Sequence, residues 1–177
     1  IIFSPDETRI IRKIYLDSLD GRAPETIWFG KDVGTTRDGS QELKDLFDDK
    51  APFDTVKPMG LMKRAFQIAG LKDNDICLDF FSGSCSTAVS LLDFNEKCSF
   101  IAVQLPEPID GTTPHGKAAL ELGLKTISAV GLERLRRFIA KNEIKSGFRV
   151  FKLSESNFMT WNQESDSKEA LEKQLAL

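Results

Sequence analysis

The chain has 177 residues, with 24 Lys and Arg against 27 Asp and Glu, so its formal net charge is −3. Hydrophobic residues make up 41% and charged residues 29%, which is ordinary for one globular domain and excludes an extensively disordered chain. No apolar run approaches the roughly 20 residues of a membrane-spanning helix, so we expect no membrane segment. The mildly acidic balance argues against a strongly basic nucleic-acid-binding domain, while a local basic patch stays compatible with it.

The residue types that bind zinc are scarce in this sequence. Cys77, Cys85 and Cys98 form no Cys-x-x-Cys pair, and His115 is the single histidine. We therefore expect no metal site. An odd number of cysteines in mostly apolar segments fits a reducing cytosol, so we expect a cytoplasmic protein.

Residues 1–56 predict little regular structure, because glycines and prolines interrupt them repeatedly. Two elements are predicted within them. The run ETIWF at 25–29 is typical of a short strand. The pattern at 40–48 predicts a helix with Ser40 as its N-cap, because Leu and Phe recur on one side and charged residues on the other.

From residue 57 onward the hydrophobic pattern alternates between helices and short buried strands. Helices are predicted over 59–70, from near 86, and over 124–142, and strands over 76–81, 98–105 and 148–153. Alternation of this kind predicts an α/β fold whose strands form a parallel sheet with right-handed crossovers. The last residues, from 165, are polar and helix-prone.

The segment LDFFSGSCST, residues 78–87, carries the most chemical information. A strand ends near Phe81, a turn contains Gly83, and a helix begins near Ser86. Ligands bind at the carboxyl ends of parallel strands, where glycine permits close approach and a helix N-terminus offers free N–H groups. The turn lacks both the G-x-G-x-x-G pattern and the P-loop Gly-Lys-Ser/Thr, which disfavours a dinucleotide or ATP site. From the loop alone, a plain strand-to-helix turn stays open.

The surrounding motifs resemble a known family. DFFSGS followed by Thr87-Ala88 resembles the S-adenosylmethionine-binding motif D-x-F-x-G-S-G-T-T of β-class DNA adenine-N6 methyltransferases. FDTVKPMGLMKRAF resembles their Lys-Pro-x-x-Leu motif, which lies just upstream in that class. The segments at 26–47, 100–108 and 147–161 resemble the modification (Mod) subunit of type III restriction–modification systems. The resemblance covers nearly all of 25–162, with its motifs in the family's order.

The resemblance implies a partial Rossmann-like methyltransferase fold, three-layered with a mostly parallel sheet. It assigns residues 1–56 to an irregular segment from a preceding recognition or linker region. Residues 57–162 become the cofactor-binding half of the methyltransferase domain, and residues 163–177 a helical C-terminal tail. It also implies S-adenosyl-L-methionine as cofactor, DNA as a partner through the complete enzyme, and a restriction subunit as a further partner.

The resemblance also implies individual cofactor contacts. Lys57 and Pro58 fall near the methionine end, where a cation can face the carboxylate. Gln104 falls where related enzymes often hold an acid over the ribose hydroxyls, and a glutamine can still accept a hydrogen bond there. The remaining expected cofactor-lining residues are consecutive in the motif: Asp79, Phe80, Phe81, Ser82, Gly83 and Ser84.

Two departures from the family pattern matter. Cys85 replaces the second motif glycine, which is costly if the backbone there needs a positive φ. We expect it to be a buried thiol rather than a nucleophile. The sequence also lacks the Asp/Asn-Pro-Pro-Tyr/Phe tetrapeptide that serves adenine-N6 methylation in the family. In the permuted order it precedes the cofactor motif, so the resemblance implies a C-terminal Mod portion without catalytic residues, inactive alone.

Other interpretations stay open. An unpaired strand near Ile76 invites association with the missing half or with a second copy. The chain is alternatively a non-catalytic remnant or chain-assembly module without cofactor binding, which Cys85 and Gln104 slightly favour. A nucleotide-binding Rossmann domain would need glycines that are absent.

Basic and aromatic residues outside the motif are assigned structural roles. Trp28 and Trp161 are expected to pack rather than to stack on bases. A solvated helix face is favoured over DNA-phosphate contact for the basic stretch on the last long helix, namely Arg134, Arg136, Arg137 and Lys141.

Overall fold

The computed structural model describes residues 2–3, 6, 8, 10–11, 23–154, 167–169 and 172. Its elements, in chain order, are β1 (Ile2–Phe3), β2 (Ile10–Ile11), α1 (Gly30–Val33), α2 (Thr36–Lys44), α3 (Met59–Ala69), β3 (Ile76–Asp79), α4 (Ser86–Phe94), β4 (Ser99–Ala102), α5 (Pro114–Glu121) and α6 (Ile127–Lys141). The chain divides into two units, Ile1–Ser146 and Gly147–Leu177. Within the described ranges, no helix is long and apolar enough to cross a membrane.

The sheet that organises the first unit consists of β3 and β4, which run parallel. Ile76 pairs with Ser99 and Asp79 with Ala102, while α4 forms the crossover between the strands. The inward face of this sheet meets a cluster around Phe66 of α3. The other members come from α3 and the residue soon after it, from α4, and from the strands or the residue before β4: Met62, Leu71, Cys77, Leu91, Phe94, Cys98 and Phe100. The strand–helix–strand unit predicted from the sequence is therefore present. A separate antiparallel pair joins β1 and β2.

The other face of the β3–β4 pair is exposed. Side chains alternate between the faces of a strand, so those that point away from the buried cluster share one surface. Five large apolar side chains there are exposed, and we call them the open sheet face: Ile76, Leu78, Phe80, Ile101 and Val103. In the described part of the chain, helices therefore cover only one side of this sheet.

A second buried cluster lies where α2 meets the segment before α3. Leu43, Phe47 and Val56 are completely buried there. Partly buried apolar side chains from the same segment and from the α5–α6 connection pack around them, namely Leu46, Phe53, Leu122 and Leu124. This cluster fixes the Lys-Pro segment relative to α2, and it brings Phe53 close to the turn after β3.

Two predicted strands are wrong. Residues 148–153 form no strand, and the side chains from Arg149 onward are exposed, up to 95% for Leu153. A strand gains stability only from a hydrogen-bonded neighbour, which an alternating pattern alone does not provide. Residues 25–29 also form no strand, because the chain turns locally and the Trp28 Nε1–H donates to the Glu25 carbonyl oxygen at 2.8 Å.

Helix boundaries follow capping residues that the apolar pattern does not reveal. The predicted start at Ser40 is wrong, because α2 begins at Thr36 behind a capping box formed by Thr35 and Asp38. The helix predicted over 124–142 is shorter, since the Thr126 hydroxyl caps α6. The prediction omitted α5, which begins with Pro114 at its first position and Thr113 as its cap.

The capping box predicts a pH-dependent stability. The Thr35 hydroxyl and backbone N–H donate to Asp38 at 2.7 Å each, and these bonds lower its pKa from 3.8. Because the pKa of Asp38 is lower in the folded state than in the unfolded state, the ionised carboxylate stabilises the fold at pH values above its unfolded-state pKa. That stabilisation is lost as the pH falls through the folded-state pKa. We expect the difference in melting temperature between the wild type and Asp38→Asn to shrink below about pH 4. Thermal unfolding followed by circular dichroism at a series of pH values measures this difference. A difference that stays constant with pH would contradict this role.

Candidate functional site

The turn after β3, residues 80–85, is continuous with the sheet. The Val103 N–H donates to the Asp79 carbonyl at 2.8 Å, and the Ser82 N–H donates to the Val103 carbonyl at 3.0 Å. Gly83 and Cys85 then both adopt left-handed conformations, with φ of 50° and 57°. We call residues 80–85 the β3–α4 turn. It reverses the chain within a few residues and delivers it to the N-terminus of α4.

Asp79 links the two ends of this turn. Its Oδ1 accepts the Phe81 N–H at 3.0 Å, and its Oδ2 accepts the Thr87 hydroxyl at 2.6 Å. One carboxylate thus joins the end of β3 to the first turn of α4. The hydrogen bond between Asp79 and Thr87 gives a physical reason for an Asp at the end of the strand and a Thr eight residues later in this motif.

Gln104 reaches the same turn from the end of β4. Its Oε1 accepts the Gly83 N–H at 2.8 Å, and its Nε2 donates to the Leu105 carbonyl at 3.3 Å. The parallel pairing of β3 with β4 therefore brings together Gly83 and Gln104, two of the residues predicted to form the site. In this structure the carboxamide stabilises the turn directly.

The motif residues differ in exposure. Ser82 and Ser84 are buried, whereas Phe81 is 89% exposed and Phe80 also faces outward. A Cβ built on Gly83 would meet only the Phe53 ring at 3.5 Å and the Phe81 carbonyl at 3.9 Å. The outer side of the turn is therefore open at its glycine, while its serines point into the protein.

The Lys-Pro segment leads into the start of α3. Pro58 is buried and precedes the first helical residue, while Lys57 is exposed. The Glu42 carboxylate accepts the Met59 N–H at 3.0 and 3.2 Å, which satisfies a free donor at the helix N-terminus. The structure describes no hydrogen bond or ion pair between Lys57 and the β3–α4 turn.

Sequence reasoning missed the residue that holds the turn from the inside. Arg134 of α6 is completely buried, and its Nη1 donates to the Ser84 carbonyl and hydroxyl at 3.2 Å each and to the Ser86 hydroxyl at 2.8 Å. The expectation of a solvated face is therefore wrong for Arg134. The available signal was its place on the apolar stripe of α6, with Val130 and Phe138 at helical spacing.

Arg137 also differs from the expectation that the basic residues of this helix are simply solvated. It pairs with Glu133 at 2.9 Å and Asp48 at 3.0 Å, and its guanidinium lies 4.8 Å from the centre of the Phe47 ring. Hydrogen bonds to these acids raise its pKa. In the basic stretch, Arg134 and Arg137 are thus engaged within the protein, and Lys141 donates to the Asp45 carbonyl at 3.1 Å. Arg136 is mostly exposed and lies 3.8 Å from Glu133 on the same helix.

Gly131 explains how α6 comes so close to the turn. A Cβ at this position would lie 2.7 Å from the Cys85 sulfur and 2.8 Å from the Gly83 carbonyl oxygen. Real Cβ atoms do not tolerate such contacts, so the helix and the turn can meet only where the helix carries glycine. Glycine in a helix interior is intrinsically unfavourable, which is consistent with a packing requirement here.

We expect Gly131→Ala to weaken both the fold and any ligand site on the turn. The added methyl group must displace backbone at Gly83, and overpacking of this kind costs about 1–3 kcal/mol. Urea unfolding measures the loss, and Gly147→Ala is the control, since nothing lies within 4 Å of a Cβ there. Equal stability of Gly131→Ala and the wild type would contradict the close approach.

Cys85 is the buried thiol expected from the sequence. Its side chain is buried against α6, and burial raises the pKa of the thiol, which keeps the reactive thiolate scarce. Its left-handed φ costs about 1–2 kcal/mol relative to glycine. The departure from the family's glycine is therefore accommodated in the fold, at some cost in strain.

Comparison with known proteins gives the family. A family model described as a DNA methylase, N6_N4_Mtase, matches residues 7–144. The StyLTI Mod subunit of Salmonella typhimurium is 31% identical over 142 residues, 80% of this chain and 21% of its own length. The EcoP15I Mod subunit of Escherichia coli is 35% identical over 159 residues, 86% of this chain and 23% of its own.

A third relative has similar coverage. The EcoPI Mod subunit of Escherichia phage P1 is 33% identical over 145 residues, 76% of this chain and 21% of its own length. All three are Mod subunits of type III restriction–modification enzymes, and the chain spans about a fifth of the length of each. The resemblance found in the motifs is confirmed: the chain belongs to the N6/N4 DNA methylase family and corresponds to a region of type III Mod subunits.

Proposed function

We propose that this chain is the S-adenosylmethionine-binding part of a type III-like DNA adenine-N6 methyltransferase. The observation that carries the proposal is the β3–α4 turn. It lies at the carboxyl ends of two parallel strands, is open at Gly83, and leads directly into a helix N-terminus. Ligands of α/β folds bind at this place, because backbone N–H groups and strand-end side chains converge there.

The residues present fit the cofactor's polar groups. Asp79 supplies a carboxylate, Gln104 a carboxamide oxygen, and exposed Lys57 a cation suited to the methionine carboxylate. A carboxamide oxygen has two lone pairs, so Gln104 can accept a ribose hydroxyl while it keeps the Gly83 N–H. The bound cofactor would supply an electrophilic methyl group. Of the other residues assigned to the cofactor site, Phe80, Phe81 and Gly83 would border the cofactor on the open side of the turn, and the buried Pro58, Ser82 and Ser84 would shape the site from beneath.

We propose that the chain alone transfers no methyl group. The family's Asp/Asn-Pro-Pro-Tyr/Phe tetrapeptide orients the exocyclic amine of adenine and stacks on the flipped base, and the sequence holds no such tetrapeptide. Residues 57–162 would form the cofactor half, following a linker or recognition segment at 1–56 and preceding a tail at 163–177. Contact with DNA and with a restriction subunit would require the complete enzyme, which we place in the cytoplasm.

The open sheet face is the proposed contact surface for the rest of such an enzyme. Its five apolar side chains lie together on the side of the sheet that α3 and α4 leave uncovered. Contiguous exposed apolar surface of this kind marks an interface. Covering it with further helices would complete a three-layer, Rossmann-like fold; in their absence a second copy of the chain would compete for the same surface.

A second candidate function belongs to another class. The chain would be a chain-assembly module or remnant without cofactor binding. The observation that favours it is that the polar groups of Asp79 and Gln104 already hold the turn by hydrogen bonds. On this alternative the motif keeps a structural role only, and the open sheet face carries the function.

One assay separates the candidates, and a second tests the assignment of the reaction to the complete enzyme. Calorimetric titration of the purified chain with S-adenosylmethionine is expected to give saturable one-to-one binding, whereas absence of binding up to millimolar ligand favours the assembly module. Transfer of a radiolabelled methyl group to DNA is expected to stay at background. Methylated DNA formed by the chain alone would contradict the assignment of the reaction to the complete enzyme.

A further inference from the structure

We propose that Arg134 is a positioning residue for cofactor binding: from the buried side, its guanidinium holds Ser84 and Ser86 so that the β3–α4 turn keeps its ligand-binding shape. The proposal rests on the proposed function of this turn. Arg134 itself lies beneath the turn and is not assigned a contact with the ligand.

The first observation is where the hydrogen bonds fall. Arg134 Nη1 donates to the Ser84 carbonyl, which lies between the two left-handed residues Gly83 and Cys85. The same nitrogen donates to the hydroxyls of Ser84 and Ser86. Strained backbone persists only where its surroundings hold it in place. The bonds to Ser84 hold the residue next to Cys85, the strained non-glycine residue of the turn, and the bond to Ser86 holds the first residue of α4.

The second observation is the unfavourable setting of the charge. Arg134 is completely buried, and in the described structure its Nε and Nη2 have no hydrogen-bond partner. Burial lowers its pKa to about 10, so it stays charged at neutral pH. A well-packed apolar side chain often stabilises such a position as well as a buried charge does. Stability alone therefore gives little reason for an arginine here, whereas hydrogen bonds to acceptors on both Ser84 and Ser86, where the turn joins α4, explain its presence.

The third observation connects Arg134 to the Lys-Pro segment. Glu42 attracts Arg134 electrostatically, and its carboxylate also accepts the Met59 N–H at the start of α3. Burial raises the pKa of Glu42, while Arg134 and the Met59 N–H oppose that shift. Arg134 thus contacts the turn directly, and it acts on the start of α3 only through the charge of Glu42. Loss of its charge should disturb the turn and the start of α3 together.

The first test measures affinity for S-adenosylhomocysteine by calorimetry, using the full chain. Arg134→Met keeps an unbranched side chain without charge and is expected to weaken binding by about tenfold or more. Arg134→Lys keeps a charge with three donors and is expected to restore part of the affinity. The matched control is Leu135→Ala on the same helix, a buried position expected to lower stability while affinity stays within about twofold.

The second test needs no ligand. Alkylation of the native chain by iodoacetamide is followed peptide by peptide, with Cys85 reporting the turn and Cys98 reporting the separate cluster around Phe66. Global unfolding raises both rates together, whereas a loosened turn raises the Cys85 rate alone. Arg134→Met is expected to accelerate Cys85 selectively, Arg134→Lys less so, and Leu135→Ala to change both cysteines in parallel.

The outcomes are distinct. If the wild type fails to bind S-adenosylhomocysteine, the proposed function falls, and the cysteine rates alone decide whether Arg134 holds the turn. If Arg134→Met accelerates Cys85 and Cys98 equally, the positioning role is overturned. It is also overturned if the wild type binds and Arg134→Lys loses as much affinity as Arg134→Met, because packing alone would then explain the residue.

Discussion

Gly83→Asp is expected to reduce the affinity of the chain for S-adenosylmethionine by about tenfold or more, measured by calorimetry. Gly83 has φ of 50°, a region that suits glycine, and its outer side is open where the ligand would approach. A side chain there occupies that space. The added carboxylate is also repelled by the carboxylate of Asp79, which lies just before the turn. This repulsion favours a conformation in which the new side chain points outward, into the space proposed for the ligand.

Two variants separate the ligand effect from backbone strain. Gly83→Ala introduces the strain with a Cβ at ordinary contact distance from Phe53, and it is expected to lose less affinity than Gly83→Asp. Gly70→Asp places the same side chain at a second left-handed glycine, φ 66°, at the end of α3 with no atom within 4 Å. It should leave affinity unchanged. Equal affinity of Gly83→Asp and the wild type would mean that the cofactor does not bind at this turn.

Phe47→Ala is expected to lower the free energy of unfolding by about 3–5 kcal/mol. Phe47 is completely buried between Leu43 and Val56, and the guanidinium of Arg137 lies over its ring at 4.8 Å. Truncation removes apolar contacts, leaves a cavity and abolishes the cation–π contact. Domains have only about 5–15 kcal/mol of total stability, so this variant should unfold at a much lower urea concentration.

The control for this prediction is another phenylalanine in the same chain. Phe81 is 89% exposed, so Phe81→Ala removes almost no buried contact and should unfold within about 0.5 kcal/mol of the wild type. Comparable losses for both variants would mean that the cluster around Phe47 does not stabilise the fold.

The elements that the sequence predicted well are those with local signals. The helix at Met59–Ala69 combines an apolar stripe with a left-handed glycine at its end, and α4 begins at Ser86 as expected. The strands Ile76–Asp79 and Ser99–Ala102 lie within the predicted apolar runs. Periodicity and capping act over a few residues, so they can be recognised without knowing the tertiary structure.

The failures have different physical causes. The alternating pattern at 148–153 suits a strand, but strand formation depends on a partner that a local pattern does not specify. The start of α2 depends on a reciprocal pair, Thr35 with Asp38, rather than on the apolar stripe. The short helix α5, which the apolar pattern did not predict, contains His115, whose Nδ1 lies 2.9 Å from the Ala51 carbonyl oxygen.

The candidate site was predictable on its outer side and not on its inner side. The motif letters identify the turn and Gly83, and parallel pairing brings Gln104 to it. The supports of the turn come from far along the chain, because Arg134 lies 50 residues beyond Ser84. A charge on the apolar stripe of α6 was the available signal, and only the tertiary structure gives it a partner.

S-adenosylmethionine is proposed to bind on the β3–α4 turn. Two-dimensional amide NMR of the labelled chain, recorded during titration with S-adenosylhomocysteine, locates the bound ligand residue by residue. We predict saturable shifts at the Gly83 N–H, which donates to the Gln104 carboxamide oxygen, and at the side-chain NH2 of the same Gln104, with the Gly70 amide unmoved. Shifts confined to residues remote from the turn, or none at millimolar ligand, would contradict the account.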